Sequence, residues 1–380
     1  MPFELNDEQR EAAEHKGSPL LVKAGPGSGK TMVIIERIKF LLKDCGLNPA
    51  EIMCLTFSNK AAASIREKIE EDEWVMEEKV DVSSMQISTY HSFCREFLVE
   101  NIMATGRAMR AGILNRATFL VWGVQNIDRF GFDHHVTIGN NANEVIEQMI
   151  DGVSTFSDEL VEPEELDAWI TKRKSDTSLI KDVEEYDFVH RLDNMNKVYK
   201  EYVKFKNDID AMDYDDLIVT TYNILSDDLN KHLLQGIRSK YRHILVDEFQ
   251  DNNFAQFSLV ELMTNAENFP LEGGITAVGD PDQNIYRFQG AYTEIFNHFR
   301  KKFTGHKDVF LSKNYRNPEA VIKFSSQVIE QDAHREIPPV AFEAMSDESA
   351  VLKPPPPQEL LEIGAPLSMA YSSAARAAEV

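Results

Sequence analysis

A glycine-rich segment that separates an apolar run from a helical pattern is the feature that most restricts how this chain can fold. Leu20-Leu21-Val22 has the length and flanks of a buried strand, and residues 31–42 place their apolar side chains on a broad helical face. Between them, residues 24–31 read AGPGSGKT, which fits the pattern GxxxxGKS/T with alanine in the first place. A strand, a glycine-rich loop and a helix in this order predict an α/β sheet that binds phosphate groups at the loop.

The residue types of this loop match the chemistry of a nucleoside triphosphate. Glycines let backbone N–H groups turn toward phosphate oxygens, and the first turn of the helix adds a partial positive charge. Lys30 supplies a point charge for the β- and γ-phosphates, and the Thr31 hydroxyl is a ligand for Mg²⁺. An ordinary glycine turn is the alternative, but the flanking strand and helix favour nucleotide binding. The predicted ATP-binding residues of the loop are Ala24, Gly25, Pro26, Gly27, Ser28, Gly29, Lys30 and Thr31.

Two adjacent acids follow another buried strand. Residues 243–246 read HILV and are followed by Asp247 and Glu248. Adjacent strand residues point to opposite faces, so both acids can reach one site only where the strand ends. Asp247 is then suited to hold Mg²⁺, and Glu248 to orient or deprotonate an attacking water. A lone acidic pair is usually a solvated strand end, but a phosphate loop in the same sheet favours the catalytic interpretation.

Short apolar runs alternate with helical patterns near both ends of the sequence, which predicts a parallel sheet covered on both faces. The predicted strands are residues 20–22, 52–57, 86–89, 243–246, 275–278 and 309–311. We assign residues 1–95 and 206–312 to one discontinuous ATP-binding domain, and the helical, charged residues 96–205 to an inserted subdomain. Residues 197–206 are basic and aromatic, a pattern that is more often an ordinary amphipathic helix than a binding surface.

The charge of the chain limits how it can contact nucleic acid. The formal net charge is −23, and residues 151–190 carry twelve acidic and four basic side chains. Any DNA contact must therefore use a local groove, and the acidic stretch is most simply a solvated face. Cys45, Cys54 and Cys94 form no CxxC pair, so we expect reduced thiols and no cysteine metal site. With no apolar run of about 18 residues and no signal-peptide pattern, we expect a cytoplasmic protein without membrane contact.

Further segments resemble, in sequence order, the motifs of the UvrD/Rep/PcrA family of superfamily 1 DNA helicases. They are residues 5–9 (LNDEQ), 56–62 (TFSNKAA), 88–93 (STYHSF), 213–217 (DYDDL), 278–291 (VGDPDQNIYRFQGA) and 314–318 (NYRNP). The resemblance implies a RecA-like P-loop NTPase fold, ATP and Mg²⁺ as cofactors, and a motor acting on single-stranded DNA or single/double-strand junctions. Together these motifs are far more specific than any one of them alone.

The resemblance adds five residues to the predicted ATP site. It implies that Gln9 hydrogen-bonds the adenine base, that Tyr315 stacks on the base, and that Arg37 flanks it from the other side. It also implies that Gln283 senses the γ-phosphate and that Arg316 contacts it. The predicted catalytic set is therefore Glu248, Gln283 and Arg316.

The same resemblance assigns six residues to single-stranded DNA: Phe57, Asn59, Tyr90, His91, Tyr286 and Phe288. Stacking of a base on an aromatic side chain is worth about 1–3 kcal/mol and depends little on sequence. Phe288-Gln289 stands where the family usually has Trp-Arg, so one positive charge near the strand is lost. Taken singly, each of these aromatic residues would more often belong to the core.

The resemblance also sets an expectation for the end of the sequence. A motor of this family has two RecA-like domains with ATP between them, and residues 313–345 fit the start of the second. Residues 346–380, with prolines at 354–357, fit a linker-like tail. We recognise no motif V or VI after residue 318. We therefore expect a truncated second domain, weak hydrolysis, and unwinding that is absent or depends on a partner chain.

The sequence leaves three functions to consider. The first is an ATP-dependent DNA helicase or translocase core. The second is a catalytically weak ATP- and DNA-binding module that acts with a partner chain. The third, a small-molecule kinase built on the same phosphate loop, explains neither residues 278–291 nor residues 314–318.

Overall fold

The computed structural model describes residues 4–106, 112–133, 136, 141–176, 182–264, 274–283, 294–329 and 343–344. Its α-helices are α1 (Asp7–Glu14), α2 (Lys30–Lys43), α3 (Asn59–Glu70), α4 (Glu73–Glu77), α5 (Tyr90–Glu100), α6 (Ile102–Thr105), α7 (Arg116–Gln125), α8 (Ala142–Asp158), α9 (Pro163–Lys174), α10 (Val183–Asp208), α11 (Tyr214–Ser226), α12 (Lys231–Lys240), α13 (Phe254–Met263), α14 (Ile295–Lys302) and α15 (Glu319–Ile329). Its strands are β1 (Leu20–Ala24), β2 (Ile52–Thr56), β3 (Gln86–Thr89), β4 (Ile113–Leu114), β5 (Met212–Asp213), β6 (His243–Val246), β7 (Ile275–Gly279), β8 (Lys307–Leu311), β9 (Lys313–Asn314) and β10 (Glu343–Ala344). Short 3₁₀ helices occur at Pro49–Glu51, Val82–Ser84, Ile127–Arg129, Asp228–Asn230, Phe249–Asp251 and Pro281–Gln283.

Six strands form one parallel sheet in the order β3-β2-β6-β7-β1-β8. β1 lies between β7 and β8, with Leu20 opposite Thr276 on one side and Lys307 on the other. Because the strands are parallel, their carboxyl ends meet at one edge of the sheet, where the segments that follow β1 and β6 both begin. The predicted RecA-like α/β class with a parallel sheet is confirmed.

The strand predictions agree closely with the structure. β3 and β6 have the predicted bounds, residues 86–89 and 243–246. β1 continues to Ala24, which still pairs with Leu311 of β8. β8 begins at Lys307, two residues before the predicted start, because an edge strand can pair through polar residues that carry no apolar pattern.

Alternate residues of the central strands face two separate cores. Met53 and Leu55 of β2 pack in a cluster with α5, α11 and α13, whereas Ile52 and Cys54 pack in a cluster with α2 and α3. Every residue of β2 is buried, as the two-residue period of a strand requires when both faces of a sheet are covered. Packing on both faces holds the strands in place. The ends of β1 and β6 therefore position the segments that form the candidate site.

The chain between β3 and β6 is mostly helical in its described part. Helices α7, α8 and α10 share a core in which the ring centroids of Phe119 and Tyr202 lie 3.4 Å apart. Ser154 of α8 donates a 2.7 Å hydrogen bond to Asp215 of α11, which joins this helical region to the sheet and its covering helices. The domain boundaries at 95/96 and 205/206 stay a prediction, and α10 continues past the second one to Asp208.

The basic and aromatic stretch at residues 197–206 lies on α10, where its aromatic rings pack into the protein. Tyr199 and Tyr202 are buried. Lys206 is 3% exposed, and its ammonium lies 2.8 Å from carboxylate oxygens of both Asp213 and Asp216. The ordinary amphipathic helix is therefore the correct interpretation of this stretch.

After β8 the described chain continues through β9, α15 and β10, and β9 pairs in parallel with β10. These elements lie within residues 313–345, whose assignment to a second domain stays a prediction. Residues 346–380, the predicted linker-like tail, lie outside the described residues. Within the part of the chain that the structure describes, no helix combines the length and the apolar character needed to cross a membrane.

Candidate nucleotide site and nucleic-acid face

The loop after β1 adopts backbone conformations that require its glycines. Gly27 and Gly29 have φ values of +72° and +92°, where residues with a Cβ are strained. Ser28 is fully buried, and its hydroxyl donates to the Gly25 carbonyl at 2.7 Å, which closes the turn. α2 then begins with Lys30 and Thr31. The predicted strand, phosphate loop and helix are therefore present, with both chemically important side chains in the first turn of the helix.

The ammonium of Lys30 is bound to the residue that follows Asp247 after β6. Its Nζ donates to Glu248 Oε2 at 2.9 Å, although the two residues are separated by 218 positions in sequence. Glu248 itself has φ +47° and ψ +49°, a left-handed conformation that is uncommon for a residue with a side chain. Backbone strain of this kind occurs preferentially at functional sites. The sequence prediction that these two residues converge therefore agrees with the geometry.

Mutual attraction sets the protonation of this ion pair. Burial lowers the pKa of Lys30, but the charges of Glu248 and Asp280 outweigh burial, and the net shift is upward. Burial raises the pKa of Glu248, but attraction to Lys30 and a hydrogen bond from Gln250 outweigh burial, and the net shift is downward. Both groups are therefore charged at neutral pH.

Asp247 supplies a buried acceptor beside this ion pair. It is 6% exposed, and its Oδ1 has no hydrogen-bond partner among the residues that the structure describes. Burial, followed by repulsion from Glu248, raises its pKa to about 6. In the described ranges no three or more His, Cys, Asp or Glu side chains form a metal site by themselves. Because Mg²⁺ typically takes one or two carboxylates and completes its shell with phosphate and water, Asp247 fits the predicted ligand role.

Two further acids lie in the field of Lys30. Asp280 follows β7 and is fully buried, and Asp251 ends the 3₁₀ turn after Glu248. Burial raises the pKa of each acid to about 7, against the opposing attraction of Lys30. The sequence pattern did not single out either residue. An acid directly after a buried strand, the same signal that identified Asp247, could have identified Asp280.

The N-terminal motif packs against the phosphate loop. Asn6 caps α1, and Gln9 Oε1 accepts a hydrogen bond from the Asn6 N–H. Gln9 is fully buried, and its Nε2 donates to the Ser28 carbonyl at 2.9 Å. A Cβ at Gly29 would lie 2.7 Å from this nitrogen and would displace the Gln9 amide, and the φ of +92° at Gly29 favours glycine in addition. In this arrangement the Gln9 amide holds the loop backbone, and its hydrogen bond to the base stays a prediction.

Arg37, which the resemblance places beside the base, is buried between α1 and α2. Its side chain has 0% exposure, and its Nη1 donates to the carbonyls of Ala13 and His15 at the end of α1. Burial lowers its pKa to about 10. The guanidinium therefore fastens α1 to α2, and the expectation that it flanks the base stays a prediction.

The segment after β8 is held against α1 by polar contacts. Glu8 accepts hydrogen bonds from the N–H and the hydroxyl of Ser312 at 2.7 and 2.6 Å. Asn6 Nδ2 donates to the Tyr315 hydroxyl at 2.7 Å. Tyr315 is half-buried, and its N–H donates to the Gly27 carbonyl at 2.8 Å. The predicted adenine-stacking residue is thus fixed directly beside the phosphate loop.

The same segment brings Arg316 to the loop. Asn314 is buried, and its Nδ2 donates to the Pro26 carbonyl at 2.6 Å. A Cβ built on Gly27 would lie 2.5 Å from the Cβ of Arg316, so this contact also requires glycine. Arg316 is exposed, and its charge contributes to the downward pKa shift of Glu248. Sequence reasoning selected Arg316 but missed Asn314, the side chain that anchors the segment.

The predicted DNA-contacting residues divide into exposed and buried groups. Phe57, just after β2, is 48% exposed, and Asn59, at the start of α3, is also exposed. His91 is half-buried on α5, directly after the neighbouring strand β3. Tyr90 is 3% exposed and packs in the core with residues of α5 and α11, and its assignment to DNA stays a prediction. Phe57, Asn59 and His91 stay candidates at one edge of the sheet.

An additional aromatic residue lies beside His91. The ring of Tyr214 makes an edge contact with the His91 ring, with centroids 5.8 Å apart, and Tyr214 is 55% exposed. Sequence reasoning placed it only within an acidic motif. The sequence feature that could have identified it is an aromatic residue between two aspartates at the start of a helix. A large ring at such a position is more often buried.

The motif at residues 278–291 is described only in part. Gln283 ends the 3₁₀ turn Pro281–Gln283, is half-buried, and donates its N–H to the Asp280 carbonyl at 3.0 Å. Tyr286 and Phe288, the two DNA-stacking predictions of this motif, lie outside the described residues. Gln283 therefore lies three residues after the buried acid Asp280 at the end of β7, in the turn that begins at Asp280.

A comparison with known protein families tests the family resemblance that the motifs suggested. A family model described as the UvrD/REP helicase N-terminal domain matches residues 5–304. The chain belongs to the UvrD/REP helicase family. The suspected UvrD/Rep/PcrA resemblance is thereby confirmed.

Curated proteins of the UvrD/REP helicase family match most of the chain. It is 32% identical over 337 residues to the ATP-dependent DNA helicase UvrD1 of Mycobacterium tuberculosis, and this match covers 87% of the chain and 40% of the relative. It is 32% identical over 336 residues to the ATP-dependent DNA helicase PcrA of Bacillus subtilis, with the same two coverages, 87% and 40%. The chain thus spans about 40% of the length of the curated relatives it matches.

Proposed function

We propose that this chain forms the ATP-binding and ATP-hydrolysing core of a DNA helicase or translocase. The observation that carries the proposal is the convergence of Lys30, Asp247 and Glu248 at the carboxyl edge of one sheet, behind a glycine-rich loop. The similar proteins are named ATP-dependent DNA helicases, and we extend that activity to this chain as a hypothesis.

In this proposal the loop and the two acids form one Mg²⁺–ATP site. Thr31 and Asp247 would hold Mg²⁺, which neutralises phosphate charge when bound. Lys30 would exchange its partner Glu248 for β- and γ-phosphate oxygens. Glu248, whose low pKa keeps it ionised, would then accept a hydrogen bond or a proton from the attacking water.

The neighbouring segment would complete the nucleotide pocket. Tyr315, fixed by Asn6 and Gly27, is proposed to stack on the base, and Arg316 to approach the γ-phosphate. Gln9 is proposed to hydrogen-bond the base, with its amide exchanging the Ser28 carbonyl for the base on binding. Gln283 remains the proposed γ-phosphate sensor, since it follows Asp280 in the same turn.

Single-stranded DNA is proposed to lie across the edge formed by the ends of β2 and β3. Phe57, His91 and Tyr214 would supply ring faces or edges, and Asn59 a polar contact. Tyr286 and Phe288 stay proposed stacking residues of the same face. With a net charge of −23, the chain has little long-range attraction for DNA, so stacking must carry a large share of the affinity.

A second candidate is a module that needs a partner chain for full activity. Val321 and Phe324 of α15 are 37% and 62% exposed, close in sequence to Arg316, which is exposed as well. A partner that covered this region could hold Arg316 in a catalytic position. This candidate shares the ATP site with the first and differs from it in the activity of the isolated chain.

Steady-state ATP hydrolysis with and without a single-stranded oligonucleotide tests the proposal. We expect Mg²⁺-dependent turnover that rises when the oligonucleotide is added at low salt. Turnover that no oligonucleotide changes would contradict a DNA motor, and phosphate transfer to a small alcohol in place of water would indicate a kinase. Unwinding of a duplex by the purified chain alone would exclude the partner-dependent module.

A further inference from the structure

Gln250 connects the proposed catalytic carboxylate to the adjacent strand. It lies in the 3₁₀ turn Phe249–Asp251 and is 2% exposed. Its Nε2 donates to Glu248 Oε2 at 2.9 Å, and its Oε1 accepts the backbone N–H of Asp280 at 2.8 Å. One amide group therefore joins the end of β6 to the end of β7.

The contact is shaped by the absence of a side chain at Gly279. A Cβ at this position would lie 2.6 Å from Gln250 Oε1 and 3.0 Å from the Phe249 nitrogen. The first distance is shorter than real Cβ contacts and the second is tighter than most of them, so a side chain at residue 279 would displace the Gln250 amide and press against the turn that carries it. The chain then passes through Asp280, where Gln250 binds, to Gln283.

We propose that Gln250 is a positioning residue, which fixes the Glu248 carboxylate relative to the Asp280 backbone and so links the hydrolytic group to the segment that follows β7. That segment leads into residues 284–291, to which the motif resemblance assigns contacts with single-stranded DNA. The catalytic consequence rests on the proposed function; the structural link itself does not.

The geometry distinguishes Gln250 from the other donor to Glu248. Glu248 Oε2 accepts from Lys30 and from Gln250 at 2.9 Å each. A bound triphosphate would attract the ammonium of Lys30 away from Glu248, whereas a neutral amide anchored to the Asp280 N–H has no such competitor. Gln250 therefore holds the carboxylate in the state in which its orientation matters for hydrolysis.

The test uses the full chain with two variants of Gln250 and one matched control. Gln250→Met removes both hydrogen bonds at similar volume. Gln250→Glu keeps an acceptor for the Asp280 N–H but replaces the donor to Glu248 with a second negative charge. Gln256→Met is the control, because Gln256 is also buried and belongs to the capping box of the adjacent helix α13.

The first readout is solvent exchange of the Asp280 backbone amide, followed by NMR with ¹⁵N-labelled aspartate. We expect Gln250→Met to speed exchange at least about 5-fold, and Gln250→Glu and Gln256→Met to leave it near the parent value, since a lost hydrogen bond is worth about 1 kcal/mol or more. Parent-like exchange in Gln250→Met would overturn the link. This readout needs no ATP turnover, so it stands even if the proposed function fails.

The second readout separates kcat from KM for ATP. We expect kcat to fall about 10- to 100-fold in both Gln250 variants with KM changed less than about 3-fold, because a misplaced base weakens the reaction more than binding. Because Gln250→Glu retains the Asp280 contact, its loss of kcat tests the donor to Glu248 specifically. Parent-like kcat in both variants, in a chain whose parent form is active, would overturn the positioning role.

Discussion

Lys30 Nζ lies 2.9 Å from Glu248 Oε2, and this contact joins two residues from opposite sides of the long helical region between β3 and β6. The ion pair brings the phosphate loop, the buried acid Asp247 and the Gln250 amide into one site. Charge complementarity therefore holds the elements together before any ligand contributes. A bound triphosphate would have to separate this ion pair, because the phosphates and Glu248 would compete for the ammonium of Lys30.

The role of Glu248 can be tested with an isosteric neutral side chain. Glu248→Gln should lower ATP hydrolysis by about 10²- to 10⁴-fold, the usual contribution of a general base, while ATP affinity stays within about 3-fold of the parent or increases. Steady-state turnover and equilibrium binding of ATP measure the two effects. Glu96→Gln, at an exposed glutamate on α5, is the matched control. Hydrolysis by Glu248→Gln at the parent rate would remove Glu248 from the mechanism.

Asp280 should make stability depend on pH. Its folded-state pKa of about 7 lies above the usual 3.8, so the folded chain takes up a proton that the unfolded chain does not as pH falls from about 7 to 4. The parent should therefore gain stability from this group over that interval, whereas Asp280→Asn should not. We expect Asp280→Asn to be the more stable form at pH 8 by at least about 1 kcal/mol, with an advantage that shrinks toward pH 4.

Urea unfolding at several pH values measures this difference. Buried acids that do not interact with Asp280 cancel in the comparison, because they are present in both proteins. Asp251 cancels only in part, because the charge of Asp280 contributes to its raised pKa. Asp128→Asn, at an exposed position, serves as the control and should show no such trend. An Asp280→Asn protein that is less stable than the parent at pH 8 would contradict the account of this side chain as a buried, unfavourable charge.

Tyr214 should contribute to the affinity for single-stranded DNA. Because one stacked base is worth about 1–3 kcal/mol, Tyr214→Ala should weaken binding of an oligonucleotide by about 5- to 150-fold without a change in ATP affinity. Fluorescence anisotropy of a labelled oligonucleotide gives the affinity. Phe188→Ala removes an aromatic residue of similar exposure, 50%, from α10 and should bind DNA as the parent does. Equal losses in the two variants would show a non-specific effect.

Arg37 should act on stability and not on base selection. Arg37→Met would leave the carbonyls of Ala13 and His15 without this donor, and we expect it to lower the free energy of unfolding by about 2 kcal/mol. The ratio of ATP to GTP affinity should stay at the parent value. A changed ratio in a protein of parent-like stability would contradict this prediction and show that Arg37 affects base selection.

Much of the sheet and half of the ATP site were predictable from sequence because their signals are local. The loop at residues 24–31 and the acids after β6 carry their chemistry in consecutive residues, and buried strands such as β3 and β6 are marked by apolar runs between turns. Tyr90 and Arg37 show the limit of motif reasoning. A motif gives the residue type, but the burial of the side chain depends on which helices pack against it.

The contacts that sequence reasoning missed are mostly long-range. Glu8 meets Ser312 across 304 positions, and Asn314 meets Pro26 across 288. Such a polar residue belongs to no hydrophobic pattern, so the sequence around it does not indicate a partner so far along the chain. Gln250 was missed for a different reason. Its two partners, Glu248 and the Asp280 N–H, lie in recognised motifs, but only the pairing of β6 with β7 shows that one amide binds both.

Calorimetric titration with a slowly hydrolysed ATP analogue, with Mg²⁺ and with EDTA, tests the central claim most directly. We predict binding that Mg²⁺ strengthens and that Lys30→Ala weakens about 100-fold, whereas Lys23→Ala, on the adjoining strand β1 and paired with Asp308, retains the parent affinity. Lys30→Ala protein that is folded and binds the analogue as tightly as the parent would contradict a triphosphate site built on Lys30, Asp247 and Glu248.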